Sequence, residues 1–136
     1  MEGKDKTILM TGDIVKLVDG DKECYLIVKG VLGSQVFFED YGWVDRDLVR
    51  LVPLTVDFLK KNGFILSEYK NAMGFIYVNC AIFPKEGAVL SVQFVDNIPL
   101  TLIVKAMNIG IKKAVTYINE LQHTIAYCGF NILLYI

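Results

Sequence analysis

Short apolar runs alternate with polar turn residues over the first third of the chain. Glycine and aspartate separate the runs, as in Asp19-Gly20-Asp21, and such punctuation is typical of short β-strands. We therefore predict five strands, at residues 14–18, 24–31, 35–38, 43–44 and 48–52. Because closure removes the exposed edges of so small a sheet, these strands predict a small closed or nearly closed β-barrel over residues 1–52.

The pattern changes after Pro53, and a second lobe is expected over residues 53–136. Helix signals agree at both ends of a segment at about residues 55–62: Thr55 is a suitable N-cap, lysines occupy the last turn, and a glycine follows. Apolar runs separated by asparagine, proline and glycine then predict a sheet of about four strands, between about residues 65 and 105.

Helical spacing is strongest near the C-terminus. Apolar residues recur three or four positions apart from Ile111 to Cys128 and form one stripe along a helix face. This stripe predicts a long helix over about residues 111–128, packed across one face of the sheet. The apolar run at residues 132–136 predicts a short terminal strand. The predicted fold class is thus α+β, a small barrel followed by an antiparallel sheet with one short and one long helix.

Composition narrows the class of protein. The 136 residues are 54% hydrophobic and 21% charged, which excludes a disordered chain, a collagen-like repeat and a coiled-coil rod. The apolar content favours contact with a protein partner or with a second copy of the chain. The three cysteines are widely spaced within apolar runs, and the chain has neither a secretory signal nor an apolar stretch long enough to span a bilayer. We therefore expect a cytoplasmic protein without a membrane partner.

Charge argues against a general affinity for nucleic acid. The formal net charge is −1, with −3 over residues 1–52 and +2 over residues 53–136, so attraction to phosphates has to come from local clusters. Two pairs are available, Lys60/Lys61 and Lys112/Lys113, both on predicted helices. Nucleic-acid binding is therefore kept as an alternative function and is not the preferred one.

Few residues are suited to catalysis. His123 is the only histidine and lies opposite the apolar stripe of the predicted helix, whereas Cys128 lies on the stripe, so the two do not form a nucleophile and base. Asp45 and Asp47 alternate with arginines, which favours ion pairs over acid–base chemistry. The chain has no phosphate-binding loop and no nucleophile-elbow motif. We predict no enzyme activity, metal, cofactor or small-molecule ligand, and a small hydrolase that uses His123 is the least favoured alternative.

Aromatic side chains of the predicted barrel are the best candidates for a binding surface, because each buries a large area with few rotatable bonds. We predict contacts by Tyr41, Trp43 and Phe38, with Asp45 beside them. Phe37 and Phe38 point to opposite faces of one strand, so at most one of them belongs to the core. Trp43 is either part of the barrel core or a contact residue.

The segment that contains Trp43 resembles a known family. Residues 42–51, Gly-Trp-Val-Asp-Arg-Asp-Leu-Val-Arg-Leu, are similar to the closing segment of Src-homology-3-type (SH3) barrels, where Gly-Trp leads into a short helical turn and a final strand. The resemblance implies an SH3-like barrel. Asp45 and Leu48 stand where that family has the proline and tyrosine of its polyproline groove, so binding of proline-rich peptides is not implied.

A wider resemblance covers roughly residues 12–130. Three pieces carry it, Pro53-Leu54-Thr55, Asn62-Gly63-Phe64 and Glu120-Leu121-Gln122-His123, which are similar in kind and order to a group of small uncharacterised proteins from gut Bacteroidetes and their prophages. The resemblance implies a phage or mobile-element setting and carries no activity. The sequence thus predicts a non-enzymatic interaction or assembly module, with a nucleic-acid-binding accessory protein as the alternative.

Overall fold

The computed structural model describes residues 8–107 and 109–136. The chain divides into two compact units, with the boundary between Val52 and Pro53. Antiparallel sheets and two helices make up these units, which confirms the predicted α+β class.

Six short strands and one turn of 3-10 helix form the described part of the first unit. The elements are β1 (Ile14–Asp19), β2 (Lys22–Ile27), β3 (Gly30–Leu32), β4 (Gln35–Phe38), β5 (Gly42–Asp45), the 3-10 turn (Arg46–Leu48) and β6 (Val49–Leu51). They build two three-stranded antiparallel sheets, with the strand orders β2-β1-β6 and β3-β4-β5. Gly20, at φ 64°, takes the left-handed conformation that the tight turn between β1 and β2 requires.

The prediction of five strands is wrong because the predicted strand at 24–31 is two strands. β2 pairs with β1, whereas β3 pairs with β4. The change occurs between them: the Val28 N–H donates to the Asp13 carbonyl oxygen, and the next N–H, of Lys29, donates to the Phe37 carbonyl oxygen. A β-branched run does not reveal this exchange of partners, since all its residues favour strand geometry.

Both sheets of the first unit contribute to one hydrophobic core. Its buried members are Leu9, Val15, Val28, Val36 and Phe38. Val36 and Phe38 lie on one side of β4, and Phe37 between them points to the other side and is half-buried, as strand alternation requires. A slip of one residue in the register of β4 exposes Phe38, so the core determines the register.

The second unit consists of a five-stranded antiparallel sheet and two helices. Its elements are α1 (Val56–Lys61), β7 (Ile65–Lys70), β8 (Ile76–Ile82), β9 (Val89–Val95), β10 (Ile98–Ala106), β11 (Ile109–Ala114) and α2 (Ile118–Cys128). The strands form a meander in the order β11-β10-β9-β8-β7. One face of the sheet is buried. Its buried side chains come from the central strands β8, β9 and β10 and are Val78, Cys80, Leu90, Val92, Phe94, Leu102 and Val104.

Local side chains determine both ends of α1. The Thr55 hydroxyl oxygen accepts the Phe58 N–H at 3.1 Å, which satisfies one of the free donors of the first turn. At the other end Asn62 is the C-cap and Gly63 has φ 89°, the left-handed position that glycine occupies without strain. The helix lies against β8 and buries Leu59.

The predicted helix over 111–128 is wrong before Ile118, because residues 109–114 form β11 and pair with β10. The Glu120 carboxylate accepts the N–H groups of Thr116 and Tyr117, both at 2.8 Å, and so satisfies backbone donors at the start of α2. The helical spacing before Ile118 is a coincidence of apolar positions. The segment forms a strand because the backbone N–H and C=O groups of β10 are available to pair with it. The sequence of the segment alone does not show that these groups lie next to it.

The predicted terminal strand is also wrong: residues 131–136 form no strand. Instead, the amide of Asn62 holds this segment. Its Nδ2 donates to the Tyr135 carbonyl oxygen at 2.8 Å, and its Oδ1 accepts the Tyr135 N–H at 2.7 Å. The same Nδ2 donates to the Phe58 carbonyl oxygen at 2.9 Å. Asn62 thereby replaces a strand partner, and the neighbouring Leu134 is buried.

Replacing Asn62 by alanine is expected to release the terminal segment from α1. Since each of the two hydrogen bonds between Asn62 and Tyr135 contributes about 0.5–1.5 kcal/mol, their loss should lower the free energy of unfolding by about 1–3 kcal/mol in urea denaturation. Hydrogen exchange of the Tyr135 amide should accelerate more than that of the sheet amides. The Asn62→Asp variant keeps the acceptor but loses the donor, and it should recover part of the protection; equal protection in wild type and Asn62→Ala would contradict this role.

Candidate functional site

Trp43 lies on the side of the β3-β4-β5 sheet that points away from the core. The strand register places Gly30, Phe37 and Trp43 directly opposite one another. Val36 and Phe38, which flank Phe37, are buried in the core. Because successive side chains of a strand alternate between faces, the row with Trp43 faces outward.

The indole of Trp43 is half-exposed and packs against a neighbouring aromatic ring. Its exposed fraction is 50%, and its ring centroid lies 5.2 Å from that of Phe37 with an interplanar angle of 57°, a favourable tilted aromatic pair. The indole extends across β4 towards Gly30 of β3, where an added Cβ atom would lie 3.8 Å from the ring. These neighbours hold Trp43 in a defined position at the surface.

Leu32, Gln35 and Asp45 form the next row on the same side of the sheet. We call the two rows together the Trp43 face; its members are Gly30, Leu32, Gln35, Phe37, Trp43 and Asp45. Leu32 is 71% exposed, and Asp45 is also exposed. The face therefore combines apolar side chains with one carboxylate.

Tyr41 lies in the turn between β4 and β5, and it is exposed. Its hydroxyl group lies 3.5 Å from the Cys24 Sγ of β2. This hydrogen bond and the Coulombic interaction with Cys24, with a smaller effect of the Asp40 charge, raise the pKa of Tyr41. Tyr41 therefore stays a neutral phenol, suited to hydrogen bonding rather than to charge recognition.

Phe38 is not a binding residue. It is 1% exposed and belongs to the core of the first unit, so its predicted role is wrong. The sequence indicated that only one of Phe37 and Phe38 is core, and the register shows that Phe38 is that one. Phe37 contacts the candidate indole instead.

The two predicted lysine pairs differ in geometry. Lys60 and Lys61 are exposed in the last turn of α1. Lys112 and Lys113, by contrast, lie on β11 rather than on a helix, and neighbouring residues of a strand point to opposite faces of the sheet. The prediction of a helical Lys112/Lys113 cluster is therefore wrong.

The face of the second-unit sheet opposite its buried side is a surface that the sequence did not predict. We call it the open sheet face, the side to which Tyr77, Asn79 and Ala81 of β8 point. Its members are half-exposed or exposed, apart from the buried Ser91. In the sequence, the alternation of side chains shows only which residues of one strand share a side. Which strands pair, and so which distant residues lie together on this face, is not visible there.

The titratable side chains give little support to a catalytic site. Burial raises the pKa of Cys80 to about 11. Burial also raises the pKa of Cys128, against a smaller lowering effect of Lys113. A raised pKa reduces the thiolate that a nucleophile needs. His123 is half-buried on α2, and within residues 8–107 and 109–136 no three His, Cys, Asp or Glu side chains group to hold a metal ion.

The described helices are short. In the part of the chain that the structure covers, neither α1 nor α2 has the length and apolar content needed to cross a bilayer.

The Trp43 face and the open sheet face both present aromatic side chains in defined positions. The first is mainly apolar and carries a carboxylate, whereas the second combines tyrosines with polar side chains. No protein-family model, no curated protein and no solved structure matches the chain.

Proposed function

We propose that this protein is a non-enzymatic interaction module of a phage or mobile element that assembles with itself through the Trp43 face. The supported, half-exposed indole of Trp43 carries the proposal. Tryptophan dominates the binding energy of many interfaces, because a rigid ring buries a large area at low entropic cost. Phe37 and Gly30 already hold the ring, so binding has little side-chain freedom to remove.

The surroundings of Trp43 fit a protein partner better than a small ligand. Leu32 extends the apolar surface, and Asp45 lies at its edge, which is the arrangement of an apolar centre with a polar rim. A carboxylate also repels phosphates, so this face is unsuited to nucleic acid. The phage or mobile-element setting is supported by the resemblance of the sequence to the Bacteroidetes and prophage group.

The topology of the first unit supports an SH3-like barrel. The chain passes from one sheet to the other between β2 and β3, and the strand orders are β2-β1-β6 and β3-β4-β5. Gly42-Trp43 begins β5, and the 3-10 turn Arg46–Leu48 leads into the last strand. In this arrangement the Trp43 face is the outer side of the second sheet.

Replacing Trp43 by alanine is expected to weaken self-association strongly. Truncation of a hot-spot residue costs about 2 kcal/mol or more, so the dimer dissociation constant in sedimentation equilibrium should rise about 30-fold. The free energy of unfolding should fall by only about 1 kcal/mol, the contribution of an aromatic pair. Trp43→Phe should keep most of the affinity.

Tyr25→Ala is the matched control, because Tyr25 is an exposed aromatic residue on β2, in the other sheet. This variant should associate like the wild type. A wild-type chain that stays monomeric at all micromolar concentrations would overturn the proposal, as would equal weakening by Tyr25→Ala and Trp43→Ala.

A further inference from the structure

A row of hydrogen-bonding side chains crosses the open sheet face. Ser67, Asn79, Gln93 and Thr101 lie directly opposite one another on β7, β8, β9 and β10. Residues that pair directly across strands lie about 4.5–5.5 Å apart, so the row offers a continuous series of donors and acceptors. A row of hydroxyl and amide groups suits a ligand with polar edges better than a purely apolar one.

Aromatic rings lie at both ends of this face. At one end, Tyr69 and Tyr77 stack with their ring centroids 5.0 Å apart and nearly parallel, at 13°, and Tyr69 is 62% exposed. At the other end, Phe83 follows β8 and is 64% exposed. Phe83 lies six positions after Tyr77, which corresponds to about 20 Å along a strand.

An open groove of about 660 Å³ adjoins the Phe83 end of the face. Its lining includes Phe83, Val89 and Met107, and its charged residues are Lys85, Lys105 and Glu86. Val89 pairs with Lys105 in the sheet, so the groove continues the open sheet face rather than forming a separate site.

The charge of the open sheet face is positive. Lys105 and Lys112 pair with Val89 and Ile103, which places both lysines on this side. The acidic residue of strands β7 to β11, Glu68, pairs with the buried Val78 and so points to the opposite side. The strand residues of this face thus carry two positive charges and no negative one, which is complementary to an anionic ligand.

We propose that the open sheet face binds single-stranded nucleic acid. Bases stack on the exposed rings of Tyr69 and Phe83, the row from Ser67 to Thr101 hydrogen-bonds base edges, and Lys105 and Lys112 contact phosphates. The bases of a duplex are stacked on each other and cannot stack on these rings, whereas the bases of a single strand can. This activity goes beyond the proposed self-association, because it uses another surface, in the second unit, and another class of ligand.

The test is fluorescence anisotropy with a labelled oligothymidylate and a labelled single-stranded RNA, each of about twelve nucleotides. Tyr69→Ala should weaken binding about tenfold or more, as expected when a stacked base is lost, whereas Tyr69→Phe should bind like the wild type. Lys105→Ala/Lys112→Ala should weaken binding and reduce the slope of log K against log salt by about 1.4, because each phosphate contact contributes about 0.7.

Matched controls separate this site from general charge or aromatic content. Lys60→Ala/Lys61→Ala removes the same charge from α1, and Tyr127→Ala removes an exposed tyrosine from α2; both should bind like the wild type. Trp43→Ala should bind the oligonucleotides normally even where it fails to self-associate, so the two proposals can fail independently.

Four outcomes would overturn the proposal. The first is the absence of binding to either oligonucleotide at about 50 mM salt, where phosphate contacts are strongest. The second is an equal loss in the Lys60/Lys61 and Lys105/Lys112 double variants, and the third is equal affinity for a duplex of the same sequence. The fourth is a Tyr69→Ala variant that loses self-association but keeps oligonucleotide binding, which would make this face a protein contact.

Discussion

Leu121→Ala is expected to lower the free energy of unfolding by about 2–5 kcal/mol, as large-to-small substitutions in protein cores do. Leu121 lies on α2 and is completely buried. The loss combines the transfer free energy of the removed carbon atoms with the cost of the cavity that remains. Urea denaturation followed by circular dichroism measures it directly.

His123→Ala is the control on the same helix. His123 is half-buried two residues further along α2, so its replacement should cost less than about 1 kcal/mol. Equal losses for the two variants would show that the buried side of α2 is not the one that carries Leu121. The pair also bears on the hydrolase alternative, since His123→Ala keeps the fold and removes the only histidine.

Phe38→Ala is expected to cost about 3–5 kcal/mol, the usual range for removing a buried phenylalanine. Phe38 is a member of the core that both sheets of the first unit share. Its neighbour Phe37 points outward, is half-buried and contacts Trp43, so Phe37→Ala should cost less, about 1–2 kcal/mol, from the aromatic pair and the partial burial of the ring. The order of the two losses tests the alternation along β4.

The two phenylalanine variants also have opposite functional consequences. Phe37→Ala removes the support of the Trp43 indole, so it should weaken self-association more than it weakens the fold. Phe38→Ala should weaken the fold and leave association intact wherever the protein remains folded. A larger loss of stability in Phe37→Ala than in Phe38→Ala would show that β4 presents its other face to the core.

Elements whose signals are local could be predicted closely from the sequence. β1 and β4 lie between tight turns with suitable residues, and the ends of α1 depend on Thr55 and Asn62, which hydrogen-bond to backbone groups within four positions. Such contacts are encoded in a short segment, so the segment is sufficient to predict them.

Elements that depend on a distant partner could not be predicted in this way. The residues of β11 have helical spacing, yet they form a strand because β10 presents an edge next to them. The terminal segment is strand-like in composition, yet it is held by one asparagine amide from α1. In each case, backbone hydrogen bonds with residues outside the segment outweighed its own pattern.

For the candidate sites, too, the sequence indicated single residues, whereas their arrangement depends on distant strands. Trp43 and Asp45 could be singled out as residue types, but their common face depends on the pairing of β4 with β5. The open sheet face could not be assembled from the sequence, because its polar row joins residues from Ser67 to Thr101 that meet only across four strands.

The sequence by itself determined the α+β class, the turns and the short helix α1, because these follow from preferences of neighbouring residues. The tertiary structure decided which of Phe37 and Phe38 is buried, where α2 begins, and which lysines share a face with the tyrosine stack. Those outcomes depend on strand register and on pairing between distant segments. A chain can satisfy its backbone hydrogen bonds in several local ways, and only the packing of the whole sheet selects one of them.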